Sequence, residues 1–155
     1  MRYRRYMPGD FEALYAIEKE CFQPPLRFER GYLQQVTQAR NGATWVAENK
    51  DGSPVGFAVV EWKRQREGGL AAYVVTLEVL QEQRRQGAGS HLLQKVEESA
   101  LAAGANAIWL HVEARNEAAQ RLYRRHGFHE AGAAEDFYGP GCGARILLKL
   151  LPGRA

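Results

Sequence analysis

The sequence predicts a single α/β (α+β) domain, a mixed and mostly antiparallel sheet of about seven strands with four helices. Two observations predict it. Segments with apolar residues at helical spacing are interspersed with short segments rich in β-branched and aromatic residues, and turn residues separate them. No internal repeat, low-complexity tract or linker divides the 155 residues, and 45% hydrophobic with 25% charged is the balance of a globular protein. One domain over residues 1–155 is expected.

Residues 2–7 alternate modestly and read as a first strand. Asp10 stands where it can cap a helix carrying Phe11, Leu14, Tyr15, Ile17 and Glu18 at helical spacing. Cys21-Phe22-Gln23-Pro24-Pro25 ends that helix, because a residue before proline is pushed out of the α region. A second helix is expected over 30–40. Residues 43–48 and 55–62 read as strands around an Asp51-Gly52 turn, and 71–79 as a third long strand. Gly87 opens a helix with Leu92, Leu93, Val96, Ser99 and Ala100 on one face, and Gly104 closes it. Residues 107–112 form a short buried strand. Asn116 then caps a helix that turns Ala119, Leu122 and Tyr123 inward and stops at Gly127. Two last strands, 128–134 and 144–150, are joined by a glycine-rich loop over 139–143.

Composition excludes several classes. The 21 basic residues are scattered among 18 acidic ones for a net charge of +3, without the basic stripe and stacking aromatics of a nucleic-acid binder. Arg121 and Arg125 read as solvated surface charge. No apolar run approaches the roughly 20 residues of a membrane helix. The basic start is followed by Pro8-Gly9-Asp10 where an export signal needs an apolar core, so a cytoplasmic location is expected. Cys21 and Cys142 lie too far apart in sequence for a disulfide scaffold, and His111, His126 and His129 lack metal-ligand spacing, so no metal is expected.

The segment Arg84-Arg85-Gln86-Gly87-Ala88-Gly89 carries the clearest chemical signal. A strand, a short basic loop with two glycines and a helix beginning there make an anion site. The first N–H groups of a helix lack partners, and its dipole places partial positive charge at that end. Glycine lets backbone approach a ligand closely, and a pyrophosphate fits. Leu92 stands where a dinucleotide fingerprint needs its third glycine, and no Gly-Lys-Ser/Thr follows. The same glycines also read as a plain strand-to-helix turn.

Arg84-x-x-Gly87-x-Gly89 after a hydrophobic strand resembles the Arg/Gln-x-x-Gly-x-Gly/Ala signature of the GCN5-related N-acetyltransferase (GNAT) superfamily. Asn116, Ala118-Ala119, Leu122-Tyr123 and Gly127-Phe128 resemble a second signature, that of its N-terminal-acetylating branch. The resemblance covers about 71–137 and implies acetyl-CoA as cosubstrate, held where the third long strand and the strand at 107–112 splay apart. It implies that pantetheine pairs with backbone near Leu77 and Val79, and that the pyrophosphate sits on Arg84, Arg85, Gln86, Gly87, Ala88, Gly89 and Ser90, with Asn116 and Tyr123 completing the site. Gln81 replaces the proline that many relatives carry before the loop.

Acetyl transfer from a thioester needs a neutral amine, a polarised carbonyl and a proton for the leaving thiolate. The resemblance makes Tyr123 the proton donor; periodicity alone makes it a core aromatic. Ribosomal-protein alanine acetyltransferases carry a glutamate where this chain has His111. Leu110-His111-Val112 instead resembles the NatE-type enzymes, in which a histidine works with a tyrosine of the neighbouring strand through an ordered water. Tyr73 stands at the matching place. A histidine with an ordinary pKa of about 6.5 is mostly neutral at pH 7, and an α-amine near 7.7–8.0 is already about a tenth neutral, so a weak base suffices. Glu78 is the rival base, with a solvent-facing position as its default expectation.

In the same family the connection between the first two helices and the last hairpin clamp the acceptor. Phe22, Pro25, Phe28, Phe137 and Tyr138 are therefore candidates for an apolar acceptor slot, and Glu20 and Glu61 for attracting an ammonium group. The implied partner is a protein or peptide N-terminus, ribosomal proteins included, bound by a monomer or homodimer. A small-amine or antibiotic acetyltransferase and a catalytically silent CoA-binding module remain open alternatives.

Overall fold

A computed structural model describes residues 1–152; 153–155, the end of the expected domain, lie outside the described residues. Seven strands and four helices occur in the order β1 (Arg2–Arg5), α1 (Phe11–Cys21), α2 (Arg30–Thr37), β2 (Gly42–Glu48), β3 (Pro54–Arg64), β4 (Leu70–Val79), α3 (Ala88–Ala103), β5 (Ala107–Glu113), α4 (Glu117–Arg125), β6 (His129–Gly139) and β7 (Cys142–Leu150). They form one sheet in the order β1-β2-β3-β4-β5-β7-β6. Every neighbouring pair is antiparallel except β4 and β5, which α3 connects as a parallel crossover.

Strand alternation divides the core between the two faces of the sheet. On β3, Phe57 and Val59 face α1 and α2, packing with Phe11, Leu14, Ile17, Leu33 and Val36. Their neighbours Ala58 and Val60 face α3, with Leu92, Leu93 and Val96. Phe57 is fully buried, which contributes about 1.5–3 kcal/mol relative to exposure. Gly56 belongs to this layer because a Cβ there would lie 2.7 Å from the carbonyl oxygen of Glu78.

The feature that makes a site is the end of the β4–β5 ladder. Pairing runs from Ala71↔Ala107 to Val74↔Leu110 and stops. On its other side β4 carries a bulge: Val59 opposes Thr76 and Val60 opposes Val74, which leaves Val75 without a partner. An extra residue bends a strand, so the second half of β4 turns away from His111–Glu113 and the expected splay opens.

Three local expectations change. Asp10 occupies the residue before α1 but makes no cap to it. Its carboxylate accepts from the Met7 N–H at 2.8 Å and from both terminal nitrogens of Arg4, so it closes the preceding turn instead. Helix α2 ends at Thr37, short of 40, and the Thr37 carbonyl at its end accepts the Thr44 hydroxyl at 3.2 Å. Strand β6 continues to Gly139, well past 134, and the glycine-rich loop shrinks to a tight turn before Cys142. Asp136, at φ 54, bulges there and accepts the Gly141 N–H at 2.7 Å. Such pairing is non-local and leaves no period in the sequence.

Candidate active site

Two adjoining cavities fill the splay. The larger, about 410 Å³, runs from the second half of β4 across the start of α3 to α4. Leu77, Val79, Arg84, Arg85, Gly87, Ala88, Gly89, Ser90, Asn116 and Tyr123 line it, as the loop reading expects; Gln86 does not. Gly87 is left-handed at φ 82 and Arg85 at φ 67, which curls the loop around the start of α3. A Cβ on Gly89 would meet Leu122 Cδ2 at 3.2 Å, so a glycine there lets α3 and α4 close on each other beside the cavity. Asn116 caps α4, accepting the Ala119 N–H at 3.1 Å.

The charges are arranged differently from the sequence reading. Arg84 turns its guanidinium back, Nε donating to the Val79 carbonyl at 2.8 Å. It braces the end of β4. Arg125 is exposed, as its surface reading expects, and it also lines the cavity from the last turn of α4. Ala118, Leu122 and Arg125 fall on one helical face, and that spacing was the available signal for it. Arg85, Arg125 and the unpaired N–H groups of α3 thus meet at a cavity that Tyr123 also lines, a fit for a ligand that carries phosphates.

The smaller cavity, about 80 Å³, lies on the other side of Tyr123, which lines both. His111, Phe22, Phe28 and Tyr138 line it, as does Leu26, which the sequence did not single out. Pro25 does not; it packs against the hairpin, where a Cβ on Gly139 would meet it at 3.4 Å. The α1–α2 connection and the β6–β7 hairpin therefore touch above the cavity. Tyr73 stands behind His111, outside the lining, with its hydroxyl 2.8 Å from Nδ1. The two are bonded directly, which pairs the histidine and tyrosine that the family resemblance implies. Phe137 stacks on the other side of the imidazole with centroids 3.8 Å apart at 11°. The ring is held between them.

Protonation follows from burial. Burial pushes His111 below the usual 6.5 of histidine, so it is neutral at pH 7. Burial likewise raises the phenols: Tyr138 is pushed up to about 12, and Tyr73 and Tyr123 rise further, so all three keep their protons. Glu78 corrects the solvent-facing expectation: it is 3% exposed and accepts the Thr76 hydroxyl at 2.6 Å. Burial, then Glu18, raises its pKa, and it lines only the larger cavity. Glu20 is exposed, whereas Glu61 pairs opposite Tyr73 on β3. Among the described residues no group of His, Cys, Asp and Glu could hold a metal ion, and no helix is long and apolar enough to cross a membrane.

A parallel strand pair splayed midway, a basic glycine loop at the helix start below it and a tyrosine between two cavities define an acyl-CoA-dependent acetyltransferase. The acetyltransferase (GNAT) family pattern matches residues 11–128, and the chain belongs to that family. The [ribosomal protein bS18]-alanine N-acetyltransferase of Escherichia coli K12 is 29% identical over 114 residues, 66% of this chain and 76% of that protein. The Arabidopsis thaliana histone acetyltransferase MCC1 is 23% identical across 89% of this chain, which spans 64% of that relative's length. Arabidopsis thaliana NAA60 in complex with a bisubstrate analogue superposes with a TM-score of 0.86 at 25% identity, covering 99% of both chains. The Escherichia coli ribosomal-protein-S18-alanine N-acetyltransferase superposes at 0.83 with 22% identity, over 99% of this chain and 95% of its own. The two superpositions extend over nearly the whole chain, whereas the family pattern stops before β6.

Proposed function

We propose that this chain is a cytoplasmic, single-domain enzyme over residues 1–155 that acetylates the N-terminal α-amine of a protein or peptide from acetyl-CoA. The observation that carries this reading is the imidazole of His111, bonded at Nδ1 to Tyr73 and lining a small cavity that Tyr123 separates from the larger one. Bound acetyl-CoA supplies the acetyl group as an activated thioester. Arg85, Arg125, Ser90 and the N–H groups at the start of α3 hold its phosphate end, and the edge of β4 beyond its pairing with β5, near Leu77 and Val79, holds its arm.

The acceptor enters between the α1–α2 connection and the hairpin. Phe22, Phe28 and Tyr138 exclude water around it. The bond between Nδ1 and the Tyr73 hydroxyl orients the His111 ring, and in the tautomer with the proton on Nδ1 the free Nε2 takes the proton of the ammonium. Tyr123 keeps its proton at Oη because burial raises its pKa, and it is the group proposed to pass that proton to the departing thiolate. Cys21 and Cys142 take no part, because the amine attacks the thioester directly.

One named relative supports a peptide amine over other acceptors: it acetylates a ribosomal-protein alanine. A ribosomal protein is accordingly a candidate partner, met by a monomer or homodimer. A peptide array varying the first two residues, run beside a polyamine and aminoglycoside panel, tests the reading. Turnover on free α-amines with none on the small amines is expected. Preference for the small amines, or acetyl-CoA binding without turnover on any amine, refutes it.

A further inference from the structure

Beneath the splay lie two carboxyl groups that the transfer chemistry does not use. Glu18 of α1 is fully buried and Glu78 of β4 is 3% exposed. Glu18 Oε2 accepts the Phe28 N–H at 3.0 Å, and Glu78 Oε2 accepts the Thr76 hydroxyl at 2.6 Å. Each leaves its Oε1 buried with no hydrogen-bond partner, and the two side chains lie within hydrogen-bonding reach of one another. Two carboxylates cannot satisfy each other, because both only accept. A carboxylic acid facing a carboxylate can, through one O–H···O⁻ bond.

We propose that Glu18 and Glu78 share a single proton and through it pin the acceptor loop to the cofactor strand. The loop's part in acceptor binding rests on the function proposed above; the shared proton does not. The linkage is continuous: Thr76 and Glu78 on β4, the proton, Glu18 on α1, then the backbone of Phe28. Arg27 ties the same loop to α1 by bonding the Phe22 carbonyl at 2.9 Å. Losing the proton would set two buried negative charges side by side and push β4 and α1 apart. The pair is a positioning device, since neither carboxyl lines the acceptor cavity.

The other titratable groups around the pair leave the proton in place. Cys21, on α1, has its thiol raised by burial and so stays uncharged. Arg84 stands 3.8 Å from the Cys21 sulfur but spends its Nε on the Val79 carbonyl. Tyr123, from α4, keeps its proton through burial. Desolvation followed by Glu18 holds Glu78 well above the ordinary carboxyl value of 4.5.

The sign follows from proton counting. The folded pair keeps a proton that the unfolded chain releases near 4.5, so stability falls as pH rises above that value until the folded pair ionises too. One retained proton corresponds to about 3–5 °C of melting temperature per pH unit for a chain of this size. Glu78→Gln replaces the shared proton with a fixed amide donor and removes this dependence. His111 and His126 titrate alike in both proteins, so the difference between the two melting curves isolates the pair. We expect wild type to lose about 3–5 °C per pH unit relative to Glu78→Gln as pH rises above about 5, until the folded pair ionises. Parallel melting curves overturn the proposal. Should the variant fail to fold, carbonyl-carbon NMR of glutamate-labelled wild type decides: one side-chain carboxyl titrating well above the ordinary range supports it, and all titrating within that range refutes it. In the assay, the acceptor KM of wild type should rise at alkaline pH more than kcat falls, and in Glu78→Gln it should not. A KM that moves equally in both proteins counts against the pinning.

Discussion

Replacing His111 with alanine tests the base directly. His111 is neutral at pH 7 because burial lowers its pKa, and its Nδ1 bond to Tyr73 leaves one nitrogen for the acceptor. A positioned general base contributes about 10²–10⁴-fold, so kcat/KM at pH 7 should fall at least about a hundredfold, equivalent to about 2.7 kcal/mol of transition-state stabilisation. The pH profile carries more information than the size. Wild type can use the protonated amine as soon as His111 is neutral, so its kcat/KM should level off below pH 6.5. The variant must wait for amine that is already neutral and should keep rising to about 7.7–8.0. About a tenth of the amine is neutral at pH 7 and nearly all at pH 9, so the deficit should shrink by up to about tenfold across that span. Thiol release from acetyl-CoA with a short peptide acceptor measures both. A loss below tenfold with the plateau unmoved refutes the assignment, the more so if Glu78→Gln abolishes activity.

Tyr123→Phe removes one hydroxyl and keeps the ring on Phe128, whose centroid lies 5.6 Å away. Its kcat should fall about 10²–10³-fold while calorimetry finds acetyl-CoA affinity within about twofold of wild type. Arg125→Ala withdraws a charge from the phosphate end of the larger cavity; the acetyl-CoA KM should rise about three- to tenfold, with the effect fading toward 1 M salt. Gly56→Ala drives a methyl to 2.7 Å from the Glu78 carbonyl, so β3 and β4 must part, and a loss of about 1–3 kcal/mol should appear as roughly a 3–10 °C drop in melting temperature.

Local chemistry made much of this protein legible. The seven strands and four helices stand where period and turn residues place them, and Asn116, Gly87 and Gly104 begin and end helices as their side chains and φ angles dictate. The loop from Arg84 to Gly89 was readable as an anion site for the same reason: a helix start and its glycines are properties of neighbouring residues. Errors arose where a side chain had a choice of partners. Asp10 could cap a helix or bind Arg4, and the guanidinium 2.8 Å away prevailed. Glu78 interrupted a hydrophobic strand and so read as solvent-facing; a second buried acid, Glu18, stands beside it instead.

The cofactor loop, the family signatures and the order of elements are all encoded within a few residues or one helical turn. Tertiary structure alone decided the rest. The unpartnered Val75 opens β4 from β5, Tyr73 reaches His111 across 38 positions of chain, and Phe137 covers the imidazole from the far hairpin. Those contacts join residues remote in sequence, and their energies depend on burial and geometry that no local pattern records.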